Sequence, residues 1–235
     1  MMLSVVIPTL NEENYLPSLL EDLMNQTYNN FEIIVSDCKS VDNTVKIAKK
    51  FDCRTVICEK KGPGPARNRG ASVAKGKYLL FLDADSRVPE EQFLERLMQK
   101  AEKKFVRLAT LGFSPIEDNK LDKTISKYIV KSLKIFGTFE PFSPGFCTFV
   151  SKHIHDKIGG YDEELFLSED HEYVKRASKM TKFFVIDDIC VLFSSRRLIA
   201  EGRFNLYLKY FYVTLYRFLN GEIRKKICDY DFGNY

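Results

Sequence analysis

The 235 residues contain no tryptophan and only three histidines. The six cysteines, at positions 38, 53, 58, 147, 190 and 228, include no pair spaced like a zinc site or a redox motif. Zinc-centred chemistry and a disulfide framework are therefore not expected, and buried reduced thiols are. No apolar run reaches the roughly twenty residues needed to span a bilayer. The start, Met1-Met2-Leu3-Ser4, carries no basic leader, so a cytoplasmic location is expected. A net charge of +4 is too mild to indicate nucleic acid, which is not an expected partner. Internal repeats and low-complexity tracts are also missing.

The first half alternates strand and helix signals. Strands are expected at 3–8, 31–36, 54–58 and 78–82, and helices at 13–25, 42–51, 66–74 and 90–104. Leu16, Leu19, Leu20 and Leu23 recur at helical spacing and form one apolar stripe. The second half is less regular: a strand at 106–113, a helix at 121–136, a Pro/Gly-rich loop at 139–150 leading into a strand, a helix within 163–179, and one or two strands across 183–193. Such βαβ alternation predicts an α/β protein with a doubly wound, mostly parallel sheet between helices.

Tyr78-Leu79-Leu80-Phe81-Leu82-Asp83-Ala84-Asp85-Ser86 is the most informative stretch. A continuous apolar run reads as a strand buried on both faces, and open α/β sheets bind ligands beyond the carboxyl ends of their strands. Two carboxylates there repel unless a hard cation carrying phosphates joins them. The plain alternative is a solvated acidic turn, with Asp85 or Ser86 capping the helix near Pro89. Three more features fall at corresponding positions: Pro8-Thr9-Leu10-Asn11-Glu12, Ser36-Asp37-Cys38-Lys39-Ser40, and Gly159 to Glu163 followed by Glu169-Asp170-His171. Helix caps and turns would explain each alone, but four in register point to a site. His153 and His155 are expected to face solvent on a short helix, and His171 directly follows the last acidic pair.

From Leu3 to Arg197 the chain resembles the family-2 glycosyltransferases of the inverting GT-A fold. The carriers are Ser4 to Glu12, Phe31 to Asp37, Ala66-Arg67-Asn68-Arg69-Gly70, Asp83-Ala84-Asp85, Ile158 to Glu163 and Glu169-Asp170. The resemblance implies a nucleotide-diphosphate sugar donor of UDP or GDP type and Mg²⁺ or Mn²⁺. By position Pro8, Thr9 and Glu12 would line the nucleoside pocket. Asp37 would contact base or ribose, and Arg67 would lie near base or diphosphate. Asp85 would hold the metal, and Asp83 would reach the ribose or a metal-bound water. Asp170 would be the general base, with Glu169 beside it. Where many members carry a second Asp this chain has Cys38. Where many carry a metal-binding histidine it has Phe193 to Arg197, so Arg196 and Arg197 become candidates for gripping the diphosphate.

These implications divide the chain into a GT-A domain over 1–200, with a donor half (1–115) and an acceptor half (116–200), and an amphipathic helical tail over 201–235. In the tail Tyr207, Leu208, Tyr210, Phe211, Leu215 and Phe218 surround a narrow polar stripe of Asn205, Lys209 and Arg217. Peripheral membrane contact through 201–226 is expected, on the inner face of the cell membrane, with docking on the catalytic domain or in a homodimer as the alternative. The expected acceptor is a hydroxyl on a lipid-linked, polyprenyl-linked or cell-surface glycan. A catalytically silent sugar-nucleotide-binding or scaffold domain is the second function class. A DxD phosphatase is the third, disfavoured because the motif follows the fourth strand and Arg87 stands where such enzymes place Thr or Val.

Overall fold

The computed structural model describes residues 2–137 and 139–228. One seven-stranded sheet organises the chain, in the order β3-β2-β1-β4-β6-β5-β7. Its strands are β1 (Leu3–Thr9), β2 (Phe31–Asp37), β3 (Arg54–Ile57), β4 (Tyr78–Phe81), β5 (Leu108–Pro115), β6 (Thr148–Ser151) and β7 (Phe184–Phe193). β6 runs antiparallel to both β4 and β5, and the other pairings are parallel. The helices are α1 (Leu16–Met24), α2 (Thr44–Lys50), α3 (Pro63–Val73), α4 (Phe93–Lys103), α5 (Lys120–Phe136), α6 (Lys152–Lys157), α7 (Glu169–Ser178), α8 (Arg196–Ala200) and α9 (Arg203–Asn220). The mostly parallel sheet flanked by helices matches the expectation.

The apolar runs of β1 and β4 are continuous because both faces of the sheet are covered. Val5, Ile7 and Leu80 join one cluster with Leu16, Leu19 and Leu23 of α1, Phe93 and Leu97 of α4 and Leu133 of α5. Val6, Leu79 and Phe81 join the opposite cluster with Ala71 of α3, Ile154 of α6 and Tyr173 of α7. Period-two strand geometry sends alternate side chains to the two layers. Truncating a fully buried residue such as Leu19 to Ala should cost about 2–5 kcal/mol.

Several boundaries differ from expectation. α3 begins at Pro63, because prolines in a first helical turn lose no hydrogen bond they could have made. α4 starts at Phe93 with Gln92 before it, so neither Asp85 nor Ser86 caps it. α7 begins only at Glu169, after the Gly159–Gly160 turn and a loop. The stretch 183–193 is one strand with a register irregularity opposite Leu111 and Gly112. Of the expected tail, 229–235 lie outside the described residues. Among the described residues no helix is long and apolar enough to cross a membrane.

Candidate active site at the carboxyl edge of the sheet

The loops after β1, β2 and β4 meet at one edge of the sheet. Thr9 stands opposite Asp37 in the β1–β2 register and donates its hydroxyl to Asp37 Oδ2 at 3.0 Å. The Ser40 amide donates to Asp37 Oδ1 at 2.8 Å, and the Ser40 hydroxyl to Oδ2. Asp37, wholly buried, thereby ties the two loops together. Asn11 completes the tie, accepting the Val41 amide at 3.0 Å while its own amide donates to Ser40 Oγ. Asn11 and Lys39 sit at φ +57° and +64°, uncommon for non-glycine residues and frequent at functional loops. Cys38 is buried, and burial pushes its thiol up to about 12.

The turn after β4 separates the two aspartates. Ser86 N donates to the Asp83 carbonyl at 3.0 Å, closing a turn in which the carboxylates face different arginines. Asp85 Oδ2 lies 2.9 Å from Arg196 Nε. The same guanidinium donates twice to Glu12, from Nη1 at 2.9 Å and from Nη2 at 2.7 Å, and rests 4.3 Å from the centre of the Tyr15 ring. Burial raises the Glu12 carboxyl and pushes Asp85 up to about 7, Arg196 opposing both shifts.

Asp83 Oδ1 instead accepts from Arg67 Nη2 at 2.9 Å, while Arg67 Nη1 donates to Glu169 Oε1 at 2.7 Å. Arg67 is 3% exposed, its guanidinium 5.4 Å from the centre of the Tyr161 ring. Burial works against its charge, and Asp83, Tyr161 and Glu169 outweigh it and hold it protonated. Gly145 is what makes room: a Cβ there would stand 2.2 Å from Arg67 Nη2. The Gly145 amide also donates to Asp170 Oδ2 at 3.1 Å, and the His171 amide to Oδ1 at 2.9 Å. Burial raises both acids of this segment; the Asp170 charge raises Glu169 further, and Arg67 pulls each back. Their place in the first turn of α7, after Ser168 at φ +62°, sets them against the favourable end of the helix dipole. His171 stacks on Phe142 with ring centres 3.9 Å apart, and burial followed by Arg217 of α9 lowers it to about 3.

The structure thus gathers Glu12, Arg67, Asp83, Asp85, Glu169, Asp170 and Arg196 around the turn after β4. Pro8 and Thr9 are the last two residues of β1, both buried. Arg67 faces carboxylates on both sides. Arg197 points away, with its Nε 2.7 Å from Glu201 Oε1. One expectation is corrected: His155 is 5% exposed, with its Nδ1 2.9 Å from the Tyr173 hydroxyl, because α6 turns this position onto the sheet. Sequence reasoning missed Tyr15, Gly145, Tyr161 and Asn68. Asn68 accepts the Tyr161 amide at 2.7 Å and donates to the Tyr161 carbonyl and Glu163 at 2.9 Å each, shaping the turn of Gly160 (φ +72°). Asn68 and Tyr161 had a signal, their places in Ala66-Arg67-Asn68-Arg69-Gly70 and in Ile158 to Glu163.

As oxygen donors, Asp83 and Asp85 suit Mg²⁺ or Mn²⁺. Among the described residues no three His, Cys, Asp or Glu side chains converge as a metal site. An ion here would draw on these two carboxylates and on ligand oxygens, and would compete with Arg196 for Asp85.

Residues 4–159 match the sequence profile described as Glycosyl transferase family 2. An uncharacterized glycosyltransferase of Haemophilus influenzae is 31% identical over 197 residues, 77% of this chain and 64% of that protein. The Escherichia coli UDP-Glc:alpha-D-GlcNAc-diphosphoundecaprenol beta-1,3-glucosyltransferase WfaP is 38% identical over 88 residues, 36% of this chain and 35% of that protein. This chain therefore spans less than two thirds of either relative. Among solved structures, S. aureus TarS 1-349 in complex with UDP superposes with TM-score 0.69 at 21% identity, over 83% of this chain and 60% of that one. Glucosyl-3-phosphoglycerate synthase from Mycobacterium tuberculosis, in complex with Mn²⁺, UDP-glucose and phosphoglyceric acid, superposes with TM-score 0.64 at 17% identity, over 91% of this chain and 79% of that one. The shared architecture is the GT-A fold.

Proposed function

The chain belongs to glycosyl transferase family 2, and from that premise we propose that it moves a sugar from a nucleotide-diphosphate sugar to an acceptor hydroxyl with inversion at the anomeric carbon. The observation that carries this is the pairing, around one turn, of Asp85 with Arg196 on one side and of Asp83, through Arg67 and Glu169, with Asp170 on the other. The donor diphosphate lies on the Asp85 side. There Arg196 exchanges its carboxylate partners for phosphate oxygens, a fork-to-fork contact of the same geometry. Asp85 and Asp83 would hold a divalent cation, which supplies Lewis-acid neutralisation of the departing nucleoside diphosphate.

Asp170 takes the acceptor proton. Two backbone amides orient its carboxylate, and the Arg67 charge offsets the crowding of Asp170 by neighbouring acids. With base and leaving group on opposite sides, one displacement suffices: the acceptor oxygen bonds to the anomeric carbon as the bond to the diphosphate breaks. His171 and Phe142 border the acceptor, as does α9, whose Arg217 acts on Asp170 and His171 through space. Because WfaP acts on a diphosphoundecaprenol-linked sugar, a lipid-linked acceptor is the favoured class. The protein then works peripherally on the inner face of the membrane, with α9 against the lipid.

Calorimetry with UDP and GDP, with and without Mn²⁺, tests the donor side: binding should require the ion and weaken in Asp85→Asn. Asp170→Asn should keep donor binding and lose about 10²- to 10⁴-fold in transfer. Full transfer by that variant would remove Asp170 as the base, and donor binding with no transfer by the wild type to any lipid-linked sugar would favour a silent binding domain.

A further inference from the structure

α5 and α9 each turn a second, unburied side outward. On α5 the inward positions are Asp122, Ser126, Val130 and Leu133. Lys120, Lys123, Lys127, Lys131 and Lys134 recur every three or four residues and so form one row along the helix. Beyond that row Leu121, Tyr128 and Ile135, each seven residues apart, form an exposed apolar stripe that ends near exposed Phe136 and Phe139. On α9 only Leu206 and Val213 are buried, Val213 in a cluster with Leu167 and Ile223. The opposite side carries Phe204, Leu208, Phe211, Leu215 and Phe218, all exposed, in steps of four and three with no charge among them.

The cations distinguish the two helices. On α9, Arg203 pairs with Asp122, Lys209 with Glu201 and Arg217 with Glu222. The polar stripe expected to meet lipid headgroups is instead spent on contacts within the chain. On α5, Lys123 pairs with Asp118 and Lys134 with Asp187. Lys120, Lys127 and Lys131 have no carboxylate partner among the described residues. The two helices are joined at Asp122, which accepts Arg203 Nε and the Tyr207 hydroxyl, each at 2.9 Å. The α9 stripe lacks the flanking opposite charges that set register between paired helices. An aromatic apolar stripe coupled to an uncompensated lysine row fits a lipid surface with anionic headgroups.

We propose that α5 and α9 form one membrane-binding surface for anionic bilayers, α5 supplying the electrostatic attraction through Lys120, Lys127 and Lys131, and α9 the apolar insertion. This rests on the tail contact proposed above and adds to it a second helix and a lipid charge. The test is flotation of the full chain with phosphatidylcholine vesicles with and without phosphatidylglycerol. The wild type should bind the anionic vesicles, less so as salt rises. Lys120→Gln/Lys127→Gln/Lys131→Gln should bind them on the order of a hundredfold more weakly, at about a factor of five per lysine, with unchanged circular dichroism and UDP affinity. Phe211→Ser/Leu215→Ser should lose binding to both compositions. Wild-type-like flotation of the triple lysine variant would overturn the role of α5 while leaving the tail contact standing. Failure of the wild type to bind any vesicle would overturn both. A concentration-dependent dimer in light scattering, abolished by Phe211→Ser/Leu215→Ser, would assign the surface to a second copy of the chain.

Discussion

The two sides of the Asp83-Ala84-Asp85 turn are built alike and set differently. Each is an arginine between two carboxylates above an aromatic ring: Arg67 between Asp83 and Glu169 over Tyr161, and Arg196 between Asp85 and Glu12 beside Tyr15. Arg67 is 3% exposed and held under Gly145, whereas the Arg196 side chain is 19% exposed and comes from the short α8 at the far end of the chain. The Arg67 side is a strut that ties Asp83 to Glu169 at the start of α7. On the proposed function, the Arg196 side is a clasp that a phosphate-bearing ligand would open. The contrast lies in the arginines and not in the carboxylates they hold, since Asp83 is 34% exposed and Asp85 19%.

The comparison is easiest to break by removing the strut. Arg67→Ala leaves the largely buried Glu169 and the half-buried Asp83 without their cation and should cost about 3–5 kcal/mol in urea unfolding, with transfer lost. A cost equal to that of Arg196→Ala would end the distinction. Gly145→Ala should destabilise by roughly 1–3 kcal/mol through overpacking against the guanidinium, and should lower kcat more than donor affinity because the Gly145 amide holds Asp170.

The floor beneath the strut is a stack of Tyr161 on Tyr173, ring centres 4.0 Å apart, with His155 bonded to the Tyr173 hydroxyl. Burial lowers His155 to about 4. An unfolded histidine takes up its proton near 6.5, so between pH 6.5 and 4 the unfolded chain binds more protons than the native one and stability falls with pH. Stability is complete above the unfolded value, and at pH 5 the loss from this group is about 2 kcal/mol. The difference between wild type and His155→Gln at pH 7 and pH 5 isolates it. An NMR titration of His155 near 6.5 would mean that the floor is wet.

The smallest stability effect belongs to the clasp. Arg196→Ala should cost about 1 kcal/mol, because Glu12, already raised by burial, can protonate when its partner is gone. In binding it should act in two directions: roughly tenfold weaker UDP, through loss of a charge-assisted fork, and tighter Mn²⁺ measured without nucleotide, because Asp85 no longer holds a guanidinium. Unchanged affinity for both would show that Arg196 never leaves Glu12.

Much of the framework was legible in the residues. β1, β2 and β4 and the stripe of α1 read directly, since each segment meets one environment along its length and its period reports it. The helix start at Pro63 was less legible, because Pro and Gly mark loops unless they fall in a first turn. His155 was misplaced because a six-residue helix is too short to show a face. Arg67 and Arg196 were visible as candidates, but what each holds depends on segments more than a hundred residues away.

By itself the sequence determined the alternation of strands and helices, the strand-end position of Asp83, Asp85 and Asp37, and the order of motifs ending in Glu169-Asp170, because hydrophobic period and local turn chemistry are encoded within a few residues. Only the tertiary structure decided which cation stands on which carboxylate. It also decided that Lys209 and Arg217 are paired within the chain while, among the described residues, Lys120, Lys127 and Lys131 of α5 have no carboxylate partner. Such pairings are set by where distant elements meet, and no local pattern records that.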